Sequence, residues 1–151
     1  MTRARTKNVV LYADDDADDR ELMAEWLQPC RHLIELRLFN SGDALLEHLS
    51  ELYYQDAEEP SLIVLDQNMP GRTGLQILES LRRDTRWAGL PAVLYTTSTM
   101  PHEVIAAERL NAGFITKPLN LTQRDIVLRQ MLRFCEPALR ERIQGFWSKG
   151  S

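Results

Sequence analysis

Five times along this 151-residue chain a short apolar run gives way to a segment of helical period, and that alternation restricts the fold more than any other feature. Val9 to Ala13 is the first strand, broken by the acidic run Asp14 to Asp19. Leu22, Met23, Trp26 and Leu27 then recur at helical spacing up to Pro29. Ile34 to Phe39 alternates, with Ile34, Leu36 and Leu38 on one face, and Ser41-Gly42-Asp43 starts a helix carrying Ala44, Leu45, Leu49 and Leu52. Leu62 to Leu65 is continuously apolar, as a strand buried on both faces must be. Leu75, Ile77, Leu78 and Leu81 follow as a helix, then Ala92 to Tyr95 as a strand. Pro101 suits the first turn of a helix ending near Asn111, Phe114 to Thr116 is a short fifth strand, and the last helix runs from Leu121 to about Phe134. Repeated strand–helix units of this kind pair in parallel and cover both faces of one sheet, so the chain is α/β.

In such sheets ligands bind beyond the carboxyl ends of the strands, where the strand order reverses. The residues at those ends are Asp14 and Asp15 after strand one, Asp66 after strand three, Thr96 after strand four and Lys117 after strand five. Three carboxylates gathered at one edge would repel one another unless a cation sat among them, and few carboxylates with room for water and phosphate suit Mg2+. With Mg2+ and Lys117 opposite Asp14, Asp15 and Asp66, the site is near neutral before an anionic substrate arrives. A metal and an ammonium that neutralise phosphoryl oxygens, beside a carboxylate nucleophile and a hydroxyl donor, are the components of phosphoryl transfer to an aspartate.

Composition excludes several other classes. There are 18 Lys and Arg against 22 Asp and Glu, a formal charge of −4, without the basic excess that binds nucleic acid backbones. No apolar run approaches a membrane span, and the basic Met1 to Lys7 lacks the apolar region and cleavage site of a signal peptide. Cys30 and Cys135 form no metal-type pair, and the chain reads as cytoplasmic. The triplet Asn120-Leu121-Thr122 carries no weight as a glycosylation site without a secretion signal.

Taken together, these residues resemble the receiver family of two-component signalling. Asp14-Asp15 is similar to the family's acidic pair, Asp66 to Gly74 to the stretch around its phosphorylated aspartate, Thr96 to its hydroxyl residue and Lys117-Pro118 to its lysine–proline pair. The resemblance implies a flavodoxin-like sheet of order 2-1-3-4-5, with 1–7 an N-terminal extension, 8–134 the receiver and 135–151 a short, partly helical C-terminal extension. It implies that Asp66 accepts a phosphoryl group from a sensor histidine kinase or phosphotransfer protein, without turnover of a separate substrate. Asp15, Asp66 and the Asn68 carbonyl would bind Mg2+, with Asp14 acting mainly through water; Lys117 would pair with Asp66. Thr96 and Phe114 would form the switch, and Asn68, Thr97 and Ser98 would tune the lifetime of the phosphorylated form. Thr97 departs from the Ala or Gly common in the family. The Lys117–Pro118 bond is expected to be cis. Asp16-Ala17-Asp18-Asp19-Arg20 after the acidic pair is similar to single-domain regulators of bacterial phytochromes.

Other readings compete at single positions. Asp16, Asp18 and Asp19 read as helix-start residues favoured by capping and the helix dipole. A calcium loop from Asp14 to Glu25 would need Gly where Asp19 stands. His32, His48 and His102 share no metal spacing, and Arg124, Arg129 and Arg133 read as a solvated basic face. Leu139, Ile143, Phe146 and Trp147 make an amphipathic helix of about ten residues that either folds back on the domain or meets a partner or second subunit, with 148–151 frayed. Output would be a surface change or a homodimer through the fourth helix, fifth strand and fifth helix, or through the tail. A phosphorylation-independent interaction module is the alternative; an aspartate phosphatase of the haloacid-dehalogenase type is a poor fit, since Asn68 stands where its second Asp belongs.

Overall fold

A computed structural model of the chain describes residues 7–149. The apolar runs form β1 (Asn8–Ala13), β2 (Ile34–Phe39), β3 (Leu62–Leu65), β4 (Ala92–Thr96) and β5 (Gly113–Thr116), all parallel, in the order β2-β1-β3-β4-β5. Between and after them lie α1 (Ala17–Leu27), α2 (Gly42–Tyr54), α3 (Gly74–Arg83), α4 (Pro101–Arg109), α5 (Arg124–Leu132) and α6 (Pro137–Lys149). The central strand β3 is buried at every residue, as its unbroken apolar run requires, whereas β2 at the sheet edge leaves Leu38 39% exposed.

The sheet separates two apolar layers. Tyr12, Val64, Val93 and Tyr95 face α1, α5 and α6 through Met23, Trp26, Leu128, Met131, Leu139 and Ile143. Leu11, Ile63, Leu65 and Leu94 face α2 and α3 through Leu45, Leu49, Ile77, Leu78 and Leu81. Cys30 and Cys135 are buried free thiols, and burial pushes the Cys135 thiol up to about 11.

Local signals set the helix starts. Asp16 caps α1 by accepting from the backbone N–H groups of Asp18 and Asp19, Ser41 caps α2, and Thr73 with Gln76 forms a capping box on α3. Asn120 accepts from Thr122, which starts the 3-10 turn before α5 and gives that triplet a structural role. Arg82 on α3 donates to the carbonyls of Leu90 (2.7 Å), Ala88 (3.0 Å), Leu110 (2.6 Å) and Asn111 (3.2 Å), tying the loop before β4 to the end of α4.

The tail lies on its own domain. Leu139 and Ile143 are 0% and 1% exposed, and each fully buried aliphatic side chain contributes roughly 1.5–3 kcal/mol. Buried Asn8 fixes the register: its Nδ2 donates to Ser61 Oγ (2.9 Å) and Glu136 Oε1 (3.1 Å), and its Oδ1 accepts from Arg142 (2.7 Å). The helix spans 13 residues, longer than the sequence suggests. Ser148 and Lys149, expected within a frayed end at 148–151, continue the helix instead; the side chains of Phe146 and Trp147, most of the 1–7 segment and residues 150–151 lie outside the described residues. No described helix is long and apolar enough to cross a membrane.

Candidate phosphoryl-acceptor and metal site

Because the strands are parallel and in register, the residues following β1, β3, β4 and β5 arrive at one edge. Asp14, Asp15 and Asp66 each bring a carboxylate oxygen there, all within 4.8 Å of one another. Asp14 is fully buried, Asp66 is 5% exposed and Asp15 is exposed. Asp14 accepts from the Tyr12 hydroxyl (2.5 Å), the Asp16 N–H (2.9 Å) and Lys117 Nζ (2.7 Å). This buried carboxylate thus has three direct protein partners.

Asp66 is placed differently. Burial pushes its carboxyl up to about 6, and Asp14 adds to the rise, against the pull of Lys117 and hydrogen bonds from Thr96 and the Gln67 backbone. The group is therefore an anion held in a site that under-compensates it. Lys117 Nζ stands 3.6 Å from Asp66 Oδ1 but 2.7 Å from Asp14 and 2.8 Å from Asp19. The expected Lys117–Asp66 pair is the longest of the three contacts, because two nearer carboxylates take the ammonium first. Burial pulls Lys117 down, but the bonds to Asp14 and Asp19 outweigh it and leave its pKa above the ordinary lysine value. The Lys117–Pro118 bond is trans, contrary to expectation; no described peptide bond is cis. Trans is the lower-energy isomer, and the family motif alone does not fix the choice.

Asp19 is the residue that sequence reasoning missed. Its place in the first turn of α1 looked like a helix-dipole residue, yet its side chain spans 98 positions to reach Lys117. An available signal was the surplus of acids: Asp16 alone caps the helix, leaving Asp18 and Asp19 without a capping task.

The remaining residues lie around this centre. Thr96 is fully buried; besides its bond to Asp66 it accepts from the Ser98 N–H (3.2 Å). The Ser98 hydroxyl in turn donates to Glu103, a buried acid in the first turn of α4. Thr97 is exposed, as is Asn68 on the loop after β3, and Phe114 is half-buried against the α2–α3 layer. That loop is braced: Gln67 Oε1 accepts from Leu75 N–H (2.9 Å), and Arg72 pairs with Asp43 on α2. A Cβ on Gly74 would stand 2.3 Å from the Asp66 carbonyl oxygen, so only glycine lets α3 approach the acceptor strand this closely. His32 and His102 are exposed and His48 bonds Arg37, all away from the acidic edge.

The donor set fits a hard divalent cation: only carboxylate oxygens converge there, from two buried residues and one exposed one.

A family model described as the response regulator receiver domain matches residues 10–129. Response regulator Rcp1 of Synechocystis sp. is 30% identical over 115 residues, 75% of this chain and 78% of that protein. The transcriptional regulatory protein TctD of Salmonella typhimurium is 31% identical over 118 residues; the match takes in 76% of this chain but about half (52%) of TctD. Among solved structures, the Mn(2+)-bound form of Rcp1 superposes with a TM-score of 0.71 at 29% identity, covering 80% of this chain and 88% of that one. The phosphorylated cyanobacterial phytochrome response regulator RcpA gives 0.69 at 27%, covering 80% and 89%.

Proposed function

The chain belongs to the response regulator receiver domain family, and on that premise we propose that Asp66 is its phosphoryl acceptor, served by Lys117 and Thr96. Receiver domains act in two-component signalling with histidine kinases or phosphotransfer proteins, and the acidic cluster suits the divalent cation that such domains use. The observation that carries the assignment is the buried, under-compensated Asp66 carboxylate with the Thr96 hydroxyl on it and Lys117 within 3.6 Å.

In the transfer, an Asp66 carboxylate oxygen attacks phosphorus. The new O–P bond forms as the donor's P–N bond breaks, and the electron pair returns to the donor imidazole. Thr96 donates its hydroxyl to a phosphoryl oxygen, and Lys117 neutralises another. Asp14, Asp15, Asp66 and the Asn68 carbonyl would hold the cation, which supplies further positive charge for the phosphoryl oxygens when bound. The protein thus promotes its own modification and its hydrolysis, with no separate substrate.

Output follows when Thr96 turns toward the phosphoryl group and releases Ser98, and Phe114 moves inward. Asn68, Thr97 and Ser98 set how readily water reaches the acyl phosphate. The receiver at 8–134, with α6 packed on it as an extension, acts as a cytoplasmic regulator, and it engages a partner or a second copy through α4, β5 and α5 or through the tail. It needs neither nucleic acid nor membrane for this. The likeness to RcpA supports a phytochrome-type kinase as the donor.

The test is intact mass after treatment with acetyl phosphate, with Mg2+ or with EDTA, on wild type and Asp66→Asn. One phosphoryl adduct that requires both cation and Asp66 is expected. An equal adduct on the variant would remove Asp66 from the role.

A further inference from the structure

Four carboxylates bear on Lys117 and the acceptor edge, not three. Asp19 adds its charge to those of Asp14, Asp15 and Asp66, so four carboxylates crowd around the Lys117 ammonium, with the Arg20 guanidinium 2.6 Å from the Asp14 carbonyl beside them. Asp19 is also selective in what it touches. Its Oδ2 lies 2.8 Å from Lys117 Nζ, it belongs to a helix capped independently by Asp16, and its side chain is 33% exposed where that of Lys117 is 9%. Lys117 therefore has two of its three N–H groups directed at Asp14 and Asp19, at 2.7 and 2.8 Å, while Asp66 waits at 3.6 Å.

We propose that Asp19 is a positioning residue that parks Lys117 on the α1 side of the site, so that phosphoryl uptake by Asp66 requires the ammonium to turn away from Asp19. This rests on the reading of Asp66 as acceptor. The group transferred and the bonds exchanged are those given above; Asp19 takes no part in them and acts only through where Lys117 points. Its effect is to hold down uptake from small anionic donors. These bring no surface that could displace Asp19, whose carboxylate keeps the ammonium turned from their phosphoryl oxygens. A donor protein pressed against α1 can supply its own partner for Asp19.

The experiment measures the second-order rate of phosphoryl uptake from acetyl phosphate at saturating Mg2+ for wild type, Asp19→Asn, Asp19→Glu and Asp18→Asn. Asp18 is the charge control, since it is exposed in the same helical turn and makes no side-chain contact with Lys117. Asp19→Asn should raise the rate about 3- to 10-fold, the range for removing one charge a few ångströms from the reacting anion in a partly screened site. Asp19→Glu should restore the wild-type rate, and Asp18→Asn should change it less than about twofold. Equal rates in wild type and Asp19→Asn, or equal increases in Asp19→Asn and Asp18→Asn, would overturn the proposal. The Lys117 Nζ resonance of the metal-free protein gives a second readout: it should shift in Asp19→Asn and not in Asp18→Asn. If the wild type takes up no phosphoryl group, the Asp66 reading has failed. The resonance then decides separately on Asp19, and an unmoved signal rejects its hold on Lys117.

Discussion

Replacing Asp66 by Asn should stabilise the metal-free protein, by an amount that the geometry sets. The side chain is 5% exposed, and its carboxyl stands at about 6 in the folded chain. An unfolded aspartate titrates near 3.9, and the difference corresponds to roughly 3 kcal/mol of destabilisation once the group is ionised in both states. Because the folded value is the higher one, the folded protein takes up the proton first as pH falls. Stability is then regained between about pH 6 and pH 4, and it is lost again as pH rises through about 6. The isosteric amide has no charge to desolvate. In EDTA at pH 8, Asp66→Asn should therefore exceed wild type by about 1–3 kcal/mol, the lower figure allowing for the amide's own burial. By pH 4 the gap should shrink to about 0.5 kcal/mol. Urea unfolding followed by circular dichroism at pH 8, 6 and 4 measures this directly. A variant no more stable than wild type at pH 8, or a difference that ignores pH, would refute the picture of an under-compensated buried carboxylate.

Two further outcomes follow from packing. Leu139→Ala should lower stability by about 2–5 kcal/mol, the usual range for emptying a fully buried leucine site, and a loss below about 1 kcal/mol in urea unfolding would show that α6 is not docked. Gly74→Ala should cost about 1–3 kcal/mol and slow phosphoryl uptake at least severalfold, because the added methyl falls 2.3 Å from the Asp66 carbonyl oxygen; unchanged uptake with unchanged stability would mean that α3 can retreat freely.

The parts of this fold that depend on neighbouring residues were legible in the sequence. The limits of β2 and β3 and the Ser41 cap follow from alternation, an unbroken apolar run and a hydroxyl before a helical pattern. The acidic edge was legible for a different reason, since parallel register carries every strand end to the same side whatever lies between. What escaped was reach. Whether Lys117 meets Asp66, Asp14 or Asp19 depends on the pitch of α1 against the end of β5, and spacing within the sequence does not encode that. The tail shows the same limit: its apolar stripe was visible, but its choice of its own domain rests on Asn8 and Ser61, more than 70 positions upstream. Leu38 fits the alternation of β2 and yet stays partly exposed, because an edge strand twists beyond the cover of α1.

Arg82 gives α4 the mechanics of a lever. Two of its four bonds, to the carbonyls of Leu110 and Asn111 just after Arg109, pin one end of the helix to α3 and act as its pivot, while the other two hold the loop before β4. The opposite end has no side-chain cap and is connected to the acceptor edge through Ser98 and Glu103. A small shift of the Thr96 loop is therefore applied at the free end of the arm, where Met100 and Val104 are exposed. On the reading of Asp66 as acceptor, the stroke would grow with distance from the pivot, so the first turn of the helix would be the part of the surface best placed to report an event at Asp66.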